Sequence, residues 1–363
     1  MDVEVDRRDL HRTRVVHEAG AALVDGQARL RVDHFALTSN NVTYGAFGDA
    51  LRYWDFFAPS SIDQQGIEWG RVPVWGYADV VESTCPDLAT GRRVYGYFPM
   101  SDELVVEPGR FDERGFSDRA AHRQAMASAY NRYTFPETEP GYDSAREAHR
   151  MVLFPLFFTS FLIDDFIGDN DCFGASIVIV SSASSKTAIA AARLLSARSG
   201  LRVVGLTSKS NVEFVTGLGC YDEVVEYDDV ASLADGVAVY VDIAGNADVR
   251  LAVHDRFGDD LVHSMIVGST HWDHETEAAA PSRGATPAFF FAPNQIAKRT
   301  KEWGRDGMDE RLGAAWEAYS RWTDSWVRFE TRSGASGIEQ TWLELVSATI
   351  DPRIGFVCRP AEA

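Results

Sequence analysis

The stretch SIVIVSSASSKTAIAAARLLSARSGLRVVGLTSKSN, residues 176–211, decides the fold of this chain. It begins with a short β-branched run, 177–180, which is typical of a strand buried on both faces. A small polar turn comes next, then apolar residues at helical spacing up to Gly200, and then a second buried run from Arg202. Strand, turn, helix and strand within about thirty residues predict a βαβ unit and hence a parallel sheet.

The turn of this unit contains no glycine, although nucleotide-binding turns use glycine for positive φ and close backbone approach. Its small side chains still permit close approach, its hydroxyls can bind phosphate, and the helix N-terminus suits a pyrophosphate. The turn therefore predicts a cofactor site; the alternative is a serine-capped helix without a ligand. A phosphate loop of the G-x-x-x-x-G-K-[ST] type is disfavoured, because both glycines are missing. The candidate cofactor-binding residues of the turn are Ser182, Ser184, Ser185, Lys186 and Thr187.

The second strand of the unit ends in Thr207, Ser208 and Lys209. An acidic residue at this place binds the ribose 2′-OH of NAD, whereas a basic residue suits the 2′-phosphate of NADP. The residues present predict NADP(H) and are candidate cofactor contacts; the alternative is a solvated polar loop.

Composition narrows the classes of function. The 363 residues carry a formal net charge of −19, which argues against a nucleic-acid partner. The four cysteines are scattered without a C-x-x-C pair, which fits reduced thiols in the cytoplasm. The charged N-terminus has no signal-peptide core, and the most apolar stretch, 151–163, is too short to span a bilayer. We therefore expect a soluble cytoplasmic protein that acts on a small molecule, not at a membrane.

The pattern of the chain changes near residue 150. Alternating and turn-bounded runs at 28–35, 72–81, 93–98 and 104–107 predict strands of a partly open β-barrel, followed by one helix at 118–130. Beyond residue 150 strands and helices alternate, which predicts a mostly parallel, doubly wound sheet. We expect three segments: 1–150 with an inserted connector, 151–295 as the nucleotide-binding domain, and 296–363 as helices plus a strand, 354–359, returning to the first domain.

This arrangement resembles the medium-chain dehydrogenase/reductase superfamily along most of the chain. GLTSK at 205–209, FVTGLGC at 214–220 and YVDIAG at 240–245 are similar to its NADP-binding strand and to the two segments that come after that strand. The phrases SNNVTY at 39–44, SSASSKTA at 181–188 and GSTHW at 268–272 resemble the bacterial family DUF2855. The resemblance implies an α/β fold with a GroES-like partly open β-barrel domain and a Rossmann doubly wound parallel sheet. It also implies cofactor contacts by Thr159, Gly245, Gly268, Ser269 and Thr270.

Zinc-dependent members of that superfamily have a cysteine near the first barrel loop and a Gly-His-Glu motif downstream. This chain has no ligand at 40–42 or 75–77, so a catalytic zinc with three protein ligands is not expected. The resemblance is then to zinc-independent quinone and enone reductases, in which NADPH supplies the hydride. Asn41 and Tyr44 loosely match the loop that precedes their reactive site. Both are candidate catalytic residues, able to hydrogen-bond the developing enolate oxygen.

Other residues are candidates for the substrate side. Trp54 and Trp75 belong to an aromatic-rich stretch that either lines a substrate pocket or packs as core. His271 lies three residues after Gly268, in the phrase GSTHW, and is a candidate substrate contact. A metal held by His271, Asp273 and His274 lacks supporting neighbours and is not expected. A homodimer is expected from the superfamily. Two other functions stay open: an NADP(H)-binding sensor, and a lyase or hydratase without net redox chemistry.

Overall fold

A computed structural model describes residues 1–17, 20–59, 66–139, 142–267, 281–348 and 350–362. The chain forms two compact units: Met1–Val152 with Val327–Ala363, and Leu153–Trp326. The expected third segment, 296–363, is divided between them, because residues up to Trp326 group with the second unit and the rest with the first.

The strands are, in chain order, β1 Asp2–Asp6, β2 Asp9–Val16, β3 Ala28–Leu37, β4 Trp69–Gly70, β5 Pro73–Ser83, β6 Arg93–Pro99, β7 Glu103–Val106, β8 Pro108–Asp112, β9 Gly115–Asp118, β10 Arg132–Thr134, β11 Ile177–Val180, β12 Arg202–Thr207, β13 Glu223–Glu226, β14 Ala238–Asp242, β15 Leu261–Ile266, β16 Ala288–Phe289, β17 Arg328–Ser333 and β18 Ile354–Arg359. The α-helices are α1 Ser39–Ala46, α2 Glu147–Asp169, α3 Lys186–Leu195, α4 Val212–Gly217, α5 Ala247–Phe257, α6 Ala292–Thr323 and α7 Gly334–Val346.

The first unit is built on a mostly antiparallel sheet with the strand order β17-β18-β3-β5-β6-β10-β9-β8, and β7 also pairs with β3. A smaller sheet has the order β2-β1-β4. The C-terminal strand β18 runs antiparallel to β3, with Phe356 opposite Leu37. The predicted return of the last strand to the N-terminal sheet is therefore confirmed.

The second unit contains a parallel sheet with the order β13-β12-β11-β14-β15-β16. Counted from β11, this is the 3-2-1-4-5-6 order of the Rossmann fold. The order reverses between β11 and β14, and in such sheets ligands bind at the carboxyl ends of the strands beside that switch point.

Side chains of β11 alternate between two hydrophobic cores, as expected for a strand covered on both faces. Val178 and Val180 pack in a core with residues of α2 and α3, whereas Ile177 and Ile179 pack in a core with residues of α5. Each fully buried aliphatic side chain contributes about 1.5–3 kcal/mol. The two cores therefore hold the strand ends, and the turn after β11, in fixed positions.

Helix α2 is longer than the apolar stretch suggested. By length and composition alone, Ser144–Asp169, which extends beyond the apolar stretch 151–163 at both ends, is long and apolar enough to cross a membrane. Half of its most apolar window is buried inside the protein. Ile163 and Ile167 are fully buried in the core of the second unit, which is how the core helix of a globular protein packs.

The helix predicted at 118–130 is absent, because a buried polar network replaces it. Two short 3-10 turns cover Ala121–Arg123 and Ser128–Asn131. The guanidinium of Arg123, 1% exposed, donates to Asp118 Oδ2 at 3.0 Å and to Asn131 Oδ1 at 3.0 Å. These side-chain bonds fold the segment around the arginine, and competition of this kind overrides helical spacing.

Candidate functional site

The turn between β11 and α3 adopts the conformation that glycine usually provides. Ser182 has a φ of 52° and is 7% exposed. Holding a residue with a Cβ in this left-handed region costs about 1–2 kcal/mol. Gly205, on the neighbouring strand β12, lets the turn pack closely against that strand. A Cβ on Gly205 would lie 2.9 Å from Ala183 Cβ. The turn thus keeps the geometry of a glycine loop without containing one.

A buried carboxylate fastens this turn to β14. Ser181 Oγ donates to Asp242 Oδ1 at 3.0 Å and accepts from the two backbone N–H groups that come after Asp242. Asp242 also accepts from Gly245 N at 2.9 Å and from Arg250 Nε at 2.8 Å. Ser181 and Asp242 are fully buried. These bonds fix the carboxyl ends of β11 and β14, the two strands at the switch point.

The start of α3 is joined to the loop after β12. Ser185 caps the helix by accepting from Ala188 N at 3.3 Å. Asn211 Nδ2 donates to Ser184 Oγ and to Ser208 Oγ, both at 3.1 Å. One side chain therefore holds together two predicted cofactor residues from neighbouring loops.

Two predicted residues at the end of β12 offer groups for an anionic ligand. The Thr207 hydroxyl is buried and, within the described part of the chain, has no hydrogen-bond partner. Lys209 is exposed and makes no ion pair among the described residues. An unpaired hydroxyl and an available cation at the carboxyl end of a parallel strand are the groups that a ribose phosphate requires.

The other predicted cofactor residues of the second unit lie on helices or in the turn after β14, or fall outside the described residues. Thr159, in α2, donates from Oγ1 to Pro155 O at 3.4 Å, and the carbonyl of Thr187 accepts from Ser160 Oγ at 2.8 Å. Gly245 has a φ of 68°, which explains a glycine at this turn. Lys186 is the first residue of α3 and is half-buried. The remaining predicted residues lie outside the described residues: Gly268, Ser269, Thr270 and His271, together with Asp273 and His274.

In the first unit, the two predicted catalytic residues lie on α1, where a loop was expected. Asn41 Oδ1 accepts from Thr38 N at 2.8 Å, and Asn41 Nδ2 donates to Pro73 O at 2.9 Å. Its amide thus caps the helix, and its second amide N–H has no partner among the described residues. Tyr44 is 6% exposed, and its burial raises the pKa of the phenol well above its ordinary value. Both catalytic assignments stay predictions.

The two predicted substrate tryptophans differ in environment. Trp54 is 2% exposed, and a Cβ on Gly48 or Gly70 would collide with its indole ring. This tight packing favours the alternative interpretation, a core residue. Trp75 is half-buried and stacks on Tyr95 with ring centroids 5.6 Å apart. Their contact with a substrate stays a prediction.

Asp33, His34 and Glu147 are the one group of potential metal ligands found in the described residues. They already form an ion-pair network, because Arg93 Nη2 lies 2.8 Å from Asp33 Oδ2 and 2.7 Å from Glu147 Oε2. His34 Nδ1 and Nε2 lie 2.8 and 3.1 Å from the same two carboxylates. Since a neutral imidazole has one N–H, this geometry favours the doubly protonated form. A metal ion would have to displace a guanidinium and a proton.

Sequence reasoning missed several residues of these sites. Asn211 lies one strand away from the turn that it holds. Tyr227, whose hydroxyl accepts from Ser182 N at 3.1 Å, lies two strands away. Tyr97 and Tyr130 join Tyr44 in an aromatic cluster. The sequence signal for that cluster is the abundance of tyrosine in residues 44–133. This abundance does not show which tyrosine side chains contact one another.

A family model described as "Protein of unknown function (DUF2855)" matches residues 35–351. A search of curated protein sequences finds no match.

Solved structures with the same fold are found at low sequence identity. CurA from Vibrio vulnificus, in complex with NADPH, is 13% identical with a TM-score of 0.61, over 97% of this chain and 95% of that one. The quinone oxidoreductase from Coxiella burnetii is 13% identical with a TM-score of 0.55, over 99% and 98%. YhdH from Escherichia coli K-12, with bound NADPH, is 14% identical with a TM-score of 0.52, over 99% and 100%. The predicted fold class, a GroES-like β domain plus a Rossmann domain, is confirmed.

Proposed function

The chain belongs to the DUF2855 family, whose model spans most of its length, and we propose that it is a zinc-independent, NADPH-dependent reductase. Its substrate class is an activated C=C or C=O bond in an enone or quinone-like molecule. The observation that carries this proposal is the turn after β11, at the switch point of a 3-2-1-4-5-6 sheet, where Ser182 holds a φ of 52°. A serine kept in a strained conformation needs a reason, and a dinucleotide supplies one.

The residues present fit NADPH. The turn 182–187 and the first N–H groups of α3 suit a pyrophosphate, while Thr207, Ser208 and Lys209 suit the ribose and its 2′-phosphate. When bound, NADPH supplies a hydride. Of the solved structures that share this fold, CurA and YhdH hold NADPH.

The first unit offers neutral hydrogen-bond donors to the substrate. Because burial raises the pKa of Tyr44, its hydroxyl stays protonated at neutral pH. It can donate a hydrogen bond to a carbonyl oxygen and then the proton that completes the reduction. The second N–H of Asn41 can support the same oxygen. The chain positions 40–42 and 75–77 hold no zinc ligand, so charge on the oxygen is stabilised by hydrogen bonds.

Consumption of NADPH, followed by its absorbance with quinones, enones and aldehydes, tests the reaction. The proposal expects NADPH oxidation with at least one conjugated carbonyl compound, and the same rate after dialysis against a chelator. Binding of NADPH without turnover of any of these substrates would favour a sensor instead. A chelator-sensitive rate would overturn zinc independence.

Lys209→Glu tests the choice of cofactor. Replacing the cation by an anion should weaken NADPH by roughly 10–100-fold, the loss of a charge-assisted hydrogen bond, and should leave NADH nearly unchanged. The control is Lys301→Glu, a change of the same charge on exposed α6. Equal weakening of both cofactors, or of neither, contradicts a 2′-phosphate contact.

We also propose a cytoplasmic homodimer. The four cysteines are unpaired thiols, as in a reducing compartment. The edge strand β16 carries exposed Phe289, and exposed Phe291 lies just beyond it, so an apolar strip is available to a second copy. Sedimentation equilibrium should give twice the chain mass, and Phe289→Asp with Phe291→Asp should give the monomer. A monomeric wild-type protein contradicts the dimer.

A further inference from the structure

The first unit contains an aromatic cluster, made of Tyr44, Tyr53, Phe56, Trp75, Tyr97 and Tyr130. These residues come from α1, β5, β6 and two 3-10 turns, so chain positions 44 to 130 meet in one place. Ring centroids are 4.3 Å apart for Tyr44 and Tyr53, 4.8 Å for Tyr97 and Tyr130, and 5.0 Å for Trp75 and Tyr97. The cluster is a packed, flat-walled apolar environment without a charged member.

Two donors inside this cluster are unsatisfied. Trp75 Nε1 and the Tyr97 hydroxyl are buried and have no hydrogen-bond partner among the described residues. The Tyr44 hydroxyl lies close enough to both side chains to interact with them. Three polar groups, here called the donor triad, therefore converge from Tyr44, Trp75 and Tyr97.

Other buried polar atoms of the first unit also lack partners among the described residues, such as the Tyr95 hydroxyl, but Trp75 Nε1 and the Tyr97 hydroxyl both lie beside Tyr44. Two comparable ring donors elsewhere in this unit are paired. Trp342 Nε1, on a fully buried indole, donates to Leu10 O at 2.8 Å. The Tyr133 hydroxyl donates to Tyr97 O at 2.7 Å. Since buried donors without partners destabilise a fold, a pair of them side by side calls for an acceptor from outside the chain.

The chemistry of the donor triad defines that acceptor. An indole N–H only donates, so the ligand atom must be an acceptor. Burial raises the pKa of Tyr97 well above its ordinary value, as for Tyr44, so both phenols remain neutral donors. A neutral carbonyl oxygen on a flat apolar molecule fits this uncharged triad. The guanidinium of Arg123 lies 5.6 Å from the Phe56 ring but is already paired with Asp118, so it does not offer a free cation to a carboxylate.

We propose that Trp75 Nε1 and the Tyr97 hydroxyl bind, together with Tyr44, the carbonyl oxygen of a flat uncharged substrate such as a quinone. This rests on the proposed reductase function and adds Trp75 and Tyr97 as catalytic residues. Bound NADPH would supply the hydride, and hydride addition to the conjugated carbon would leave the π electron pair on this oxygen. The donor triad stabilises the resulting oxyanion. Tyr44 then gives its proton to the reduced product and regains one from water.

The test uses the full-length protein, 1,4-naphthoquinone as the probe, and the variants Trp75→Phe and Tyr97→Phe. Each variant keeps an aromatic ring and removes one donor. Tyr95→Phe is the matched control, because the Tyr95 hydroxyl is also buried without a partner among the described residues. This variant keeps the ring that stacks on Trp75 and removes a hydroxyl whose charged neighbours are Arg150 and Glu139.

Three measurements are made on each variant: kcat/KM for naphthoquinone with NADPH, the Kd of naphthoquinone by calorimetry, and Tm. We expect Trp75→Phe and Tyr97→Phe each to lower kcat/KM about 10–1000-fold, mostly through kcat, with unchanged or higher Tm. Tyr95→Phe should leave kcat/KM within about two-fold. Unchanged kinetics in both donor variants, or losses matched by Tyr95→Phe or by a lower Tm, would overturn the proposal.

The calorimetric arm separates this inference from the proposed function. If naphthoquinone binds the wild type and binding is weakened in the donor variants, although NADPH is not oxidised, the binding site stands and the reductase function fails. If the wild type reduces naphthoquinone and the donor variants do so equally well, the reductase function stands and the donor triad fails. If naphthoquinone does not bind, the donor triad fails.

Discussion

The turn after β11 and the aromatic cluster show opposite relations between sequence and structure. The turn lacks the glycines of its motif, yet its geometry is kept by a left-handed Ser182, by Gly205 on the next strand, and by paired polar groups around Asp242. The cluster contains Tyr44, which loosely matches a motif yet lies on a helix, and two of the cluster's donors are unpaired among the described residues.

This difference fits two kinds of ligand. A cofactor that is the same in every turnover is served by a turn that is held rigid before binding. The Thr207 hydroxyl, at the end of the next strand and without a partner among the described residues, is left for the ligand. A substrate oxygen that gains charge during the reaction is served by donors that acquire their partner only then. Substitutions in the two units can show whether the stability of the turn depends on the contacts that hold it. They can also show whether paired polar groups distinguish the turn from the aromatic cluster.

The largest effect is expected from Asp242→Ala. This removes the carboxylate that holds Ser181, Gly245 and Arg250, so the free energy of unfolding should fall by about 3–5 kcal/mol in urea denaturation. Asp255→Ala, an exposed position on α5, is the control and should stay within about 0.5 kcal/mol. A loss no larger than the control's would show that the turn does not depend on this carboxylate.

A smaller loss is expected from Gly205→Ala. The new Cβ would lie 2.9 Å from Ala183 Cβ and 2.8 Å from the ring of Tyr221, so the turn must shift, at a cost of about 1–3 kcal/mol. Gly217→Ala is the matched control, because a Cβ there meets nothing within 4 Å. Thermal unfolding of both variants checks this, and equal Tm values would refute close packing at Gly205.

Two substitutions of Ser182 separate backbone conformation from side chain. Ser182→Val places a β-branched residue at a φ of 52° and should lower the free energy of unfolding by about 1–2 kcal/mol. Ser182→Gly relieves that strain but loosens the unfolded chain, so its stability should change by less than about 1 kcal/mol. Chemical denaturation distinguishes the two; a stable valine variant would mean that the turn tolerates another conformation.

The smallest effect is expected at His34, a fully paired site in the first unit. Burial opposes its charge, but bonds with Asp33 and Glu147 prevail, so the pKa of His34 is raised above its ordinary value in the folded protein. Its stabilisation is therefore complete below the unfolded pKa, about 6.5, and is lost as pH rises through the folded pKa. Between about pH 6 and 9 the wild type should lose about 1 kcal/mol more than His34→Gln. Parallel pH profiles of the two proteins would contradict a charged His34.

Local sequence patterns predicted the second unit well, because its helices and strands follow the hydrophobic periodicity and the turn residues of the chain. Strand β11 has the predicted bounds, and strand β12 begins at the predicted Arg202. In the first unit, strand β18 also has the predicted bounds. The helix expected at 118–130 failed, because Arg123 draws Asp118 and Asn131 into a buried network that no local spacing reveals. The donor triad was missed for the same physical reason: Tyr44, Trp75 and Tyr97 meet only after α1, β5 and β6 have packed.

The central claim is that a serine turn supported by Gly205 binds NADPH. Calorimetric titration of the wild type and of Gly205→Ala with NADPH tests it most directly. The account predicts saturable binding of NADPH to the wild type and weaker binding to a folded Gly205→Ala variant. A folded wild-type protein that does not bind NADPH, or a Gly205→Ala variant that binds it equally tightly, would contradict the account.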